Sequence, residues 1–335
     1  MNSYQRMTGF INGENVDHAP FMPIFMRFCA KYTGTKYRNF IFDVDEHCQS
    51  NIACAKAFNS DWVNVMSDPY CEVEAYGGHI EYPEDSLPMD EIVLMPEIGD
   101  LDKLKLIDWK GNSRAKGRID QCARYKELCG GEKIICGWVE GPVAEYCDLR
   151  SMGNAFLDFY DEPEKVKKSI AIILENARNF ITEQVKAGAN CIGIGDAACS
   201  QTGRDIYLEF AFEGEKMLVE HIHSLGAVAK LHICGNTTAI IPDMIATGAD
   251  IIDIDHLVSD MAPFHPLLSG KRQVFCGNVD PVLVIQNGSE SEVVAAAKKA
   301  LAQVPGKLIL SGGCEITPDT SEDNIKALFR CCSKW

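Results

Sequence analysis

Three side chains in this sequence have the types and spacing to hold a metal: His232 and Cys234 in KLHICGN, and Cys314 in LSGGCEI. Strand residues two apart share a face, so His232 and Cys234 point the same way if VAKLHIC is a strand. Gly235 then lets the chain turn, which places both side chains at the strand's C-terminal end. Cys314 arrives in the same manner, after the apolar run KLIL and behind Gly312 and Gly313. Thiolate sulfur and imidazole nitrogen suit Zn²⁺, and three protein ligands with an open fourth position are the catalytic arrangement rather than the structural one. No CxxC pair completes a four-ligand structural site. The bland alternative is two unrelated buried cysteines and a hydrogen-bonded core histidine, in a chain with 15 cysteines.

Further candidates stand at the ends of other apolar runs. Asp68 follows WVNVMS, Asp196 follows GIG, and Asp253 and Asp255 lie in IIDIDH. Carboxylates in such positions commonly face an active site in barrel enzymes, although each could instead cap the next helix. Asp255 ends the predicted strand after Cys234 and is a candidate fourth, displaceable ligand. Asp253 shares its face, so the spacing does not separate the two. His256 supports the metal site or simply caps. Arg27 and Lys31 in MPIFMRFCAKY could bind an anionic group of a substrate, Arg as a bidentate fork, or lie on the surface of an early helix. In FCGNVDP, Asn278 and Asp280 read locally as a turn before a helix opened by Pro281.

The elements that must position these residues are repeated βα units. Apolar runs at 134–139, 189–195, 228–234, 250–255, 273–277 and 307–312 alternate with amphipathic stretches that close on glycine, the pattern of a parallel sheet. The helix from Pro163 to Gly188 shows the N-terminal proline and C-terminal glycine expected of a helix. Functional residues at strand ends favour a barrel over an open sheet. Residues 61–66 read as a strand and IFDVDEHCQSNIACAKAFNSD as helical, while 70–110 is a polar excursion, expected to be an insertion near the barrel mouth. The expected organisation is one α/β domain over 1–335 with an N-terminal extension.

Composition excludes several functions. A net charge of −16 with no basic run argues against a nucleic-acid partner. No apolar stretch approaches the length of a membrane-spanning helix, and the N-terminus has no signal-peptide pattern. Irregularly spaced cysteines suit a reducing interior, so a cytoplasmic location is expected. There is neither a GxGxxG opening a helix nor a GxxxxGK[ST], and no serine nucleophile elbow.

Taken in order, MPIFMRFCAKY, VNVMSDP, GWVEGPVAEY and FCGNVDP resemble segments of the uroporphyrinogen decarboxylase superfamily over most of the chain. The resemblance implies a single TIM-type (β/α)₈ barrel. It places the decarboxylase's catalytic aspartate on Asp68, an aromatic motif position on Tyr146, and the Gly-Asn-x-Asp-Pro motif on Asn278 and Asp280. Tyr146 and Asp68, with Asp196 from its place at a strand end, are the expected catalytic residues, Asn278 and Asp280 the cofactor-facing ones, and Arg27 and Lys31 the substrate-binding ones. The sequence departs from true decarboxylases where their Gly-His-Gly becomes GGCEITPDT and where the second arginine of the early pair becomes Lys31.

HICG and GGC are instead similar to the His-x-Cys…Cys pattern of zinc-dependent corrinoid methyltransferases. That branch implies zinc on His232, Cys234 and Cys314, and a methyl group moved between a corrinoid and a small substrate, either a thiol acceptor or a methoxy or methylated donor. The chain has no DxHxxG segment, so the corrinoid is expected on a separate, transient partner protein. The competing expectations are a metal-free uroporphyrinogen decarboxylase using Asp68 and Arg27, and a non-enzymatic barrel that handles zinc or corrinoid without turnover.

Overall fold

Apolar runs without polar alternation make strands buried on both faces, and here they do so in one parallel sheet. In a computed structural model describing residues 1–334, the strands are β1 (Trp62–Asn64), β2 (His79–Glu81), β3 (Met89–Ile92), β4 (Ile134–Glu140), β5 (Cys191–Gly195), β6 (Val228–Ile233), β7 (Ile251–Ile254), β8 (Val274–Val279) and β9 (Leu308–Gly312). Residue 335, the last of the expected domain range, lies outside the described residues. Seven strands form the main sheet in the order β1-β4-β5-β6-β7-β8-β9, and every neighbouring pair is parallel.

Two apolar layers follow from the period-two alternation of strand side chains. One face packs Trp62, Ile134, Cys136, Cys191, Ile251, Val274, Cys276 and Ile309 together inside the curled sheet. The other packs Ile135, Ile192, Leu231, Ile252 and Phe275 against the surrounding helices. The helix Pro163–Ala187 begins and ends where expected, with the Gly188 N–H donating to Gln184 O at 3.1 Å.

The sheet is closed by a stave that the apolar runs did not reveal. Residues 20–24 lie between β9 and the residue before β1. Met22 N–H donates to Leu310 O at 3.0 Å and Leu310 N–H to Pro20 O at 2.9 Å, while Asp61 N–H reaches Phe21 O at 2.8 Å. Asp61 Oδ2 accepts the Phe21 N–H, also at 2.8 Å. Pro20 and Pro23 cannot donate to a ladder, so this segment makes isolated bridges rather than a continuous strand. Eight staves therefore complete the (β/α)₈ barrel. The 70–110 excursion follows β1 and holds a short helix (Cys71–Tyr76), the antiparallel pair β2–β3 and a 3₁₀ turn (Ile98–Lys103). No helix among the described residues is long and apolar enough to cross a membrane.

Candidate metal centre

β6 carries Lys230 and His232 inward, and Cys234 follows one residue past its end. Gly235 turns there at φ +92°, a conformation that L side chains rarely adopt. Cys314 lies two residues beyond β9, in a bend whose Gly313 approaches β7's exit so closely that a Cβ would stand 2.3 Å from the His256 nitrogen. Glycine at 313 is what allows the third ligand to reach the first two.

The result is a compact donor set. His232 Nε2 is 2.9 Å from Cys234 Sγ, and Cys234 Sγ is 3.5 Å from Cys314 Sγ. The three ligand atoms all lie within 4.8 Å of one another. Tetrahedral Zn–S bonds of about 2.3 Å would separate two sulfurs by about 3.8 Å, so small adjustments admit the ion. Of the fifteen cysteines, Cys234 and Cys314 are half-buried and the others buried, so the two thiols of the donor set are also the most accessible ones.

Asp253 positions His232. It is in register with the histidine on the neighbouring strand, and its Oδ2 lies 2.7 Å from His232 Nδ1, leaving Nε2 to face the sulfurs. The same oxygen accepts from Lys230, which is fully buried. Burial opposes a charge on His232, yet the Asp253 carboxylate and its hydrogen bond push the imidazole up to about 9. Cys314 is held well below the ordinary thiol range by its hydrogen bond with Cys234 and by His232. An imidazole fixed through its far nitrogen to a carboxylate is the usual support of a metal-ligating histidine. The sequence placed Asp253 level with Asp255 and overlooked Lys230. The signal for Lys230 was its place on the His232 face of VAKLHIC.

Asp255 stands beside this set without joining the three atoms. Its Oδ2 accepts the N–H of Gly235 at 2.8 Å, which fixes the turn after Cys234. Arg27 reaches the same mouth through Glu315, the neighbour of Cys314. Its backbone N–H donates to Oε1 at 3.0 Å and its Nη2 to Oε2 at 3.0 Å. Lys31 pairs with exposed Asp319 at 2.5 Å. Both cations border a cavity of about 410 Å³ that also meets Lys36 and Tyr37.

The remaining expected residues are tied into the scaffold. Asp68 is buried against Arg114 and accepts from Ser67 Oγ at 2.6 Å. Burial raises its carboxyl, but the charges of Arg114 and Arg118 outweigh that and hold it below the usual carboxylate range. Asp196 is fully buried and accepts the N–H of Ala144 at 2.6 Å, capping the helix Pro142–Arg150. Tyr146 donates to Asp158 at 2.8 Å, which also binds Arg150. Asn278 donates to Val258 O at 2.7 Å, and Asp280 accepts the N–H groups of Val282 and Leu283 at 2.9 and 2.8 Å. The candidate metal ligands are thus gathered, while the expected catalytic residues Asp68, Asp196 and Tyr146 are bonded to arginine, backbone amides and a buried acid.

Known proteins share this architecture. A methyltransferase from Methanosarcina mazei superimposes with a TM-score of 0.89 at 22% sequence identity, covering 99% of this chain and 98% of that one. In sequence, the methylcobamide:CoM methyltransferase MtbA of Methanosarcina mazei is 28% identical over 283 residues, 82% of this chain and 79% of its own length. The uroporphyrinogen decarboxylase of Prochlorococcus marinus is 25% identical over 338 residues, 95% of this chain and 92% of its own. The uroporphyrinogen decarboxylase (URO-D) family model matches residues 2–335. A barrel closed from both ends of the sequence and a match spanning nearly every residue lead to one assignment: this chain belongs to the uroporphyrinogen decarboxylase family.

Proposed function

We propose that this protein is a zinc-dependent methyltransferase, moving a methyl group between a corrinoid carried by a separate protein and a small substrate. The observation that carries the reading is the convergence of His232 Nε2, Cys234 Sγ and Cys314 Sγ at the barrel mouth. The similarity to a methylcobamide:CoM methyltransferase supports it. His232, Cys234 and Cys314 would hold the ion, with Asp255 available from the adjoining strand as a displaceable fourth ligand. Zinc held by such a set supplies Lewis acidity that makes a thiol a thiolate, or polarises a methoxy oxygen, near neutral pH.

The chain's own residues prepare that chemistry. Asp253 keeps the imidazole turned, and Lys230 balances Asp253 inside the barrel. Arg27, acting through Glu315, holds the loop that presents Cys314. Asp68, Asp196 and Tyr146 serve in this proposal as positioning residues, since each is bonded within the scaffold. In the thiol direction, the substrate sulfur forms the new S–C bond as the methyl–cobalt bond breaks. Both electrons of that bond stay on cobalt, which passes from Co(III) to Co(I), and the thiol proton leaves to solvent.

The decarboxylase alternative asks Asp68 to meet a tetrapyrrole, whereas the Asp68 carboxylate is bonded to Arg114 and Ser67. The test is anaerobic mixing of the purified protein with methylcobalamin and a panel of thiols. Methyl transfer appears as the absorbance change from methylcobalamin to cob(I)alamin, with about one zinc per chain expected. Metal-free protein that turns over uroporphyrinogen and transfers no methyl group overturns the proposal.

A further inference from the structure

Two strands from the candidate metal ligands lies a group of carboxylates that the chemistry above leaves unused. β4 ends on Glu140, which is in register with Gly195, which is in register with His232. Neighbouring strands lie about 4.8 Å apart, so Glu140 and His232 stand two strands apart at one level, with no β5 side chain between them and the Trp138 ring lying over Gly195 in that gap. Trp138 occupies the space over β5, where a Cβ on Gly193 would come 2.3 Å from its ring. That ring is centred 6.1 Å from His232, and its Nε1–H donates to Glu140 Oε1 at 2.9 Å. The other Glu140 oxygen lies 3.1 Å from where a Cβ on Gly195 would stand, so it reaches over β5 toward the metal ligands.

Behind Glu140 acidic side chains outnumber cationic ones. Its N–H donates to Glu72 Oε1 at 3.1 Å, and Arg118 meets Glu72 at 3.4 Å. Glu145 is 2% exposed and neither carboxylate oxygen has a hydrogen-bond partner. Burial and then the repulsion of its neighbours hold Glu145 well above the usual range, and Asp148 is pushed up to about 7 for the same reasons. A buried carboxylate without a partner is costly, and one cation beside several acids leaves a place for another positive charge. A metal ion does not fit that place. Among the described residues, the groups with three ligand atoms within 4.8 Å are His232, Cys234 and Cys314, and Asp196, Cys199 and Glu215, so these acids are too spread to enclose one.

We propose that Glu140, with Glu72, Glu145 and Asp148 behind it, receives the ammonium end of a small aminothiol whose sulfur meets His232, Cys234 and Cys314. The ammonium places a positive charge where charge-assisted hydrogen bonds can form. The assignment rests on the proposed methyl transfer for the position of the sulfur, and on the carboxylates alone for the amine.

The experiment therefore has two arms. In the first, methyl transfer from methylcobalamin is compared for cysteamine, 2-mercaptoethanol and 2-mercaptoethanesulfonate. The expected kcat/KM for cysteamine exceeds that for the sulfonate by about tenfold or more, and E140Q lowers the cysteamine to 2-mercaptoethanol ratio by about tenfold. E140Q keeps an acceptor for Trp138 Nε1, and circular dichroism confirms that it folds. In the second, calorimetry on metal-free protein compares S-methylcysteamine with 2-(methylthio)ethanol. The amine alone is expected to bind, more weakly in E140Q. Preference for the sulfonate, an E140Q effect equal for all thiols, or equal binding of the two thioethers overturns the inference. If no thiol is methylated, the methyltransferase reading fails, and the calorimetric arm alone decides whether the carboxylates take an ammonium group.

Discussion

At the ends of β6 and β7, Lys230, Asp253 and His232 satisfy one another within three side chains, whereas at the end of β4 the acids Glu72, Glu140, Glu145 and Asp148 outnumber Arg118. Both regions are largely buried, and each is built at the C-terminal ends of strands of one sheet. The first is an organised support: Lys230, Asp253 and His232 meet through Asp253 Oδ2, with Asp253 Oδ1 the one oxygen of the three side chains left without a partner, so the imidazole is aimed before any ligand arrives. The second is an incomplete one, with orphaned oxygens that gain partners only from something brought in. One side is therefore suited to a compact ion that demands fixed geometry, the other to a diffuse organic cation.

Removing a ligand from the organised side has the largest expected effect. Cys314→Ala leaves two of the three gathered ligand atoms and only the displaceable Asp255 beside them, so zinc per chain should fall from about one to near zero and methyl transfer by more than about a thousandfold. Glu140→Gln, on the other side, keeps its zinc. Elemental analysis of both variants checks the contrast, and zinc loss from E140Q would break it.

Next in size is Asp253→Asn, which leaves Lys230 buried without its counter-charge and His232 without its orienting carboxylate. Unfolding free energy should drop by about 3–5 kcal/mol in urea titration, and zinc affinity by about 10–100-fold in chelator competition. Unchanged values for both would show that the support does not aim the imidazole.

The incomplete side predicts a pH effect. Asp148 is raised in the folded protein to about 7 by burial and then by Glu72. An unfolded aspartate titrates near about 3.9, so between these values the folded state binds more protons. The stabilising contribution is full below the unfolded value and is lost as pH rises through the folded one. The Tm of the parent should decline from pH 5 to pH 8 more than that of Asp148→Asn, by on the order of 2–4 °C in scanning calorimetry. Parallel curves would remove Asp148 from the strained group.

The smallest effect is expected from Tyr146→Phe. It loses the hydrogen bond to Asp158 and about 1 kcal/mol of stability by urea titration. A kcat loss beyond tenfold, without a matching stability loss, would return Tyr146 to a catalytic role.

Much of this was readable from the sequence because parallel barrel strands are apolar on both faces. The runs at 134–139, 228–234 and 307–312 stand out for that reason, and the period of two placed His232 beside Cys234. Residues 20–24 escaped because Pro20 and Pro23 disguise a stave as a loop. Asp253 and Asp255 could not be separated by spacing, since they share a face. Their roles depend on which one lies level with His232 on the adjoining strand, a matter of register between chain segments. Asp68, Asp196 and Tyr146 stood at plausible positions, but the groups that bond them, Arg114, Ala144 and Asp158, lie on other elements and are visible only in the fold.

The closing stave has a consequence for how the protein is made. Phe21 and Met22 emerge early in synthesis, but their partner Leu310 belongs to β9, four residues before Cys314. Until β9 has been made, the barrel stays open along this seam and Cys314, the third candidate metal ligand, does not yet exist. Closure of the barrel and completion of the candidate metal site thus depend on the same segment, so a product that stops before β9 has neither a sealed barrel nor the Cys314 donor.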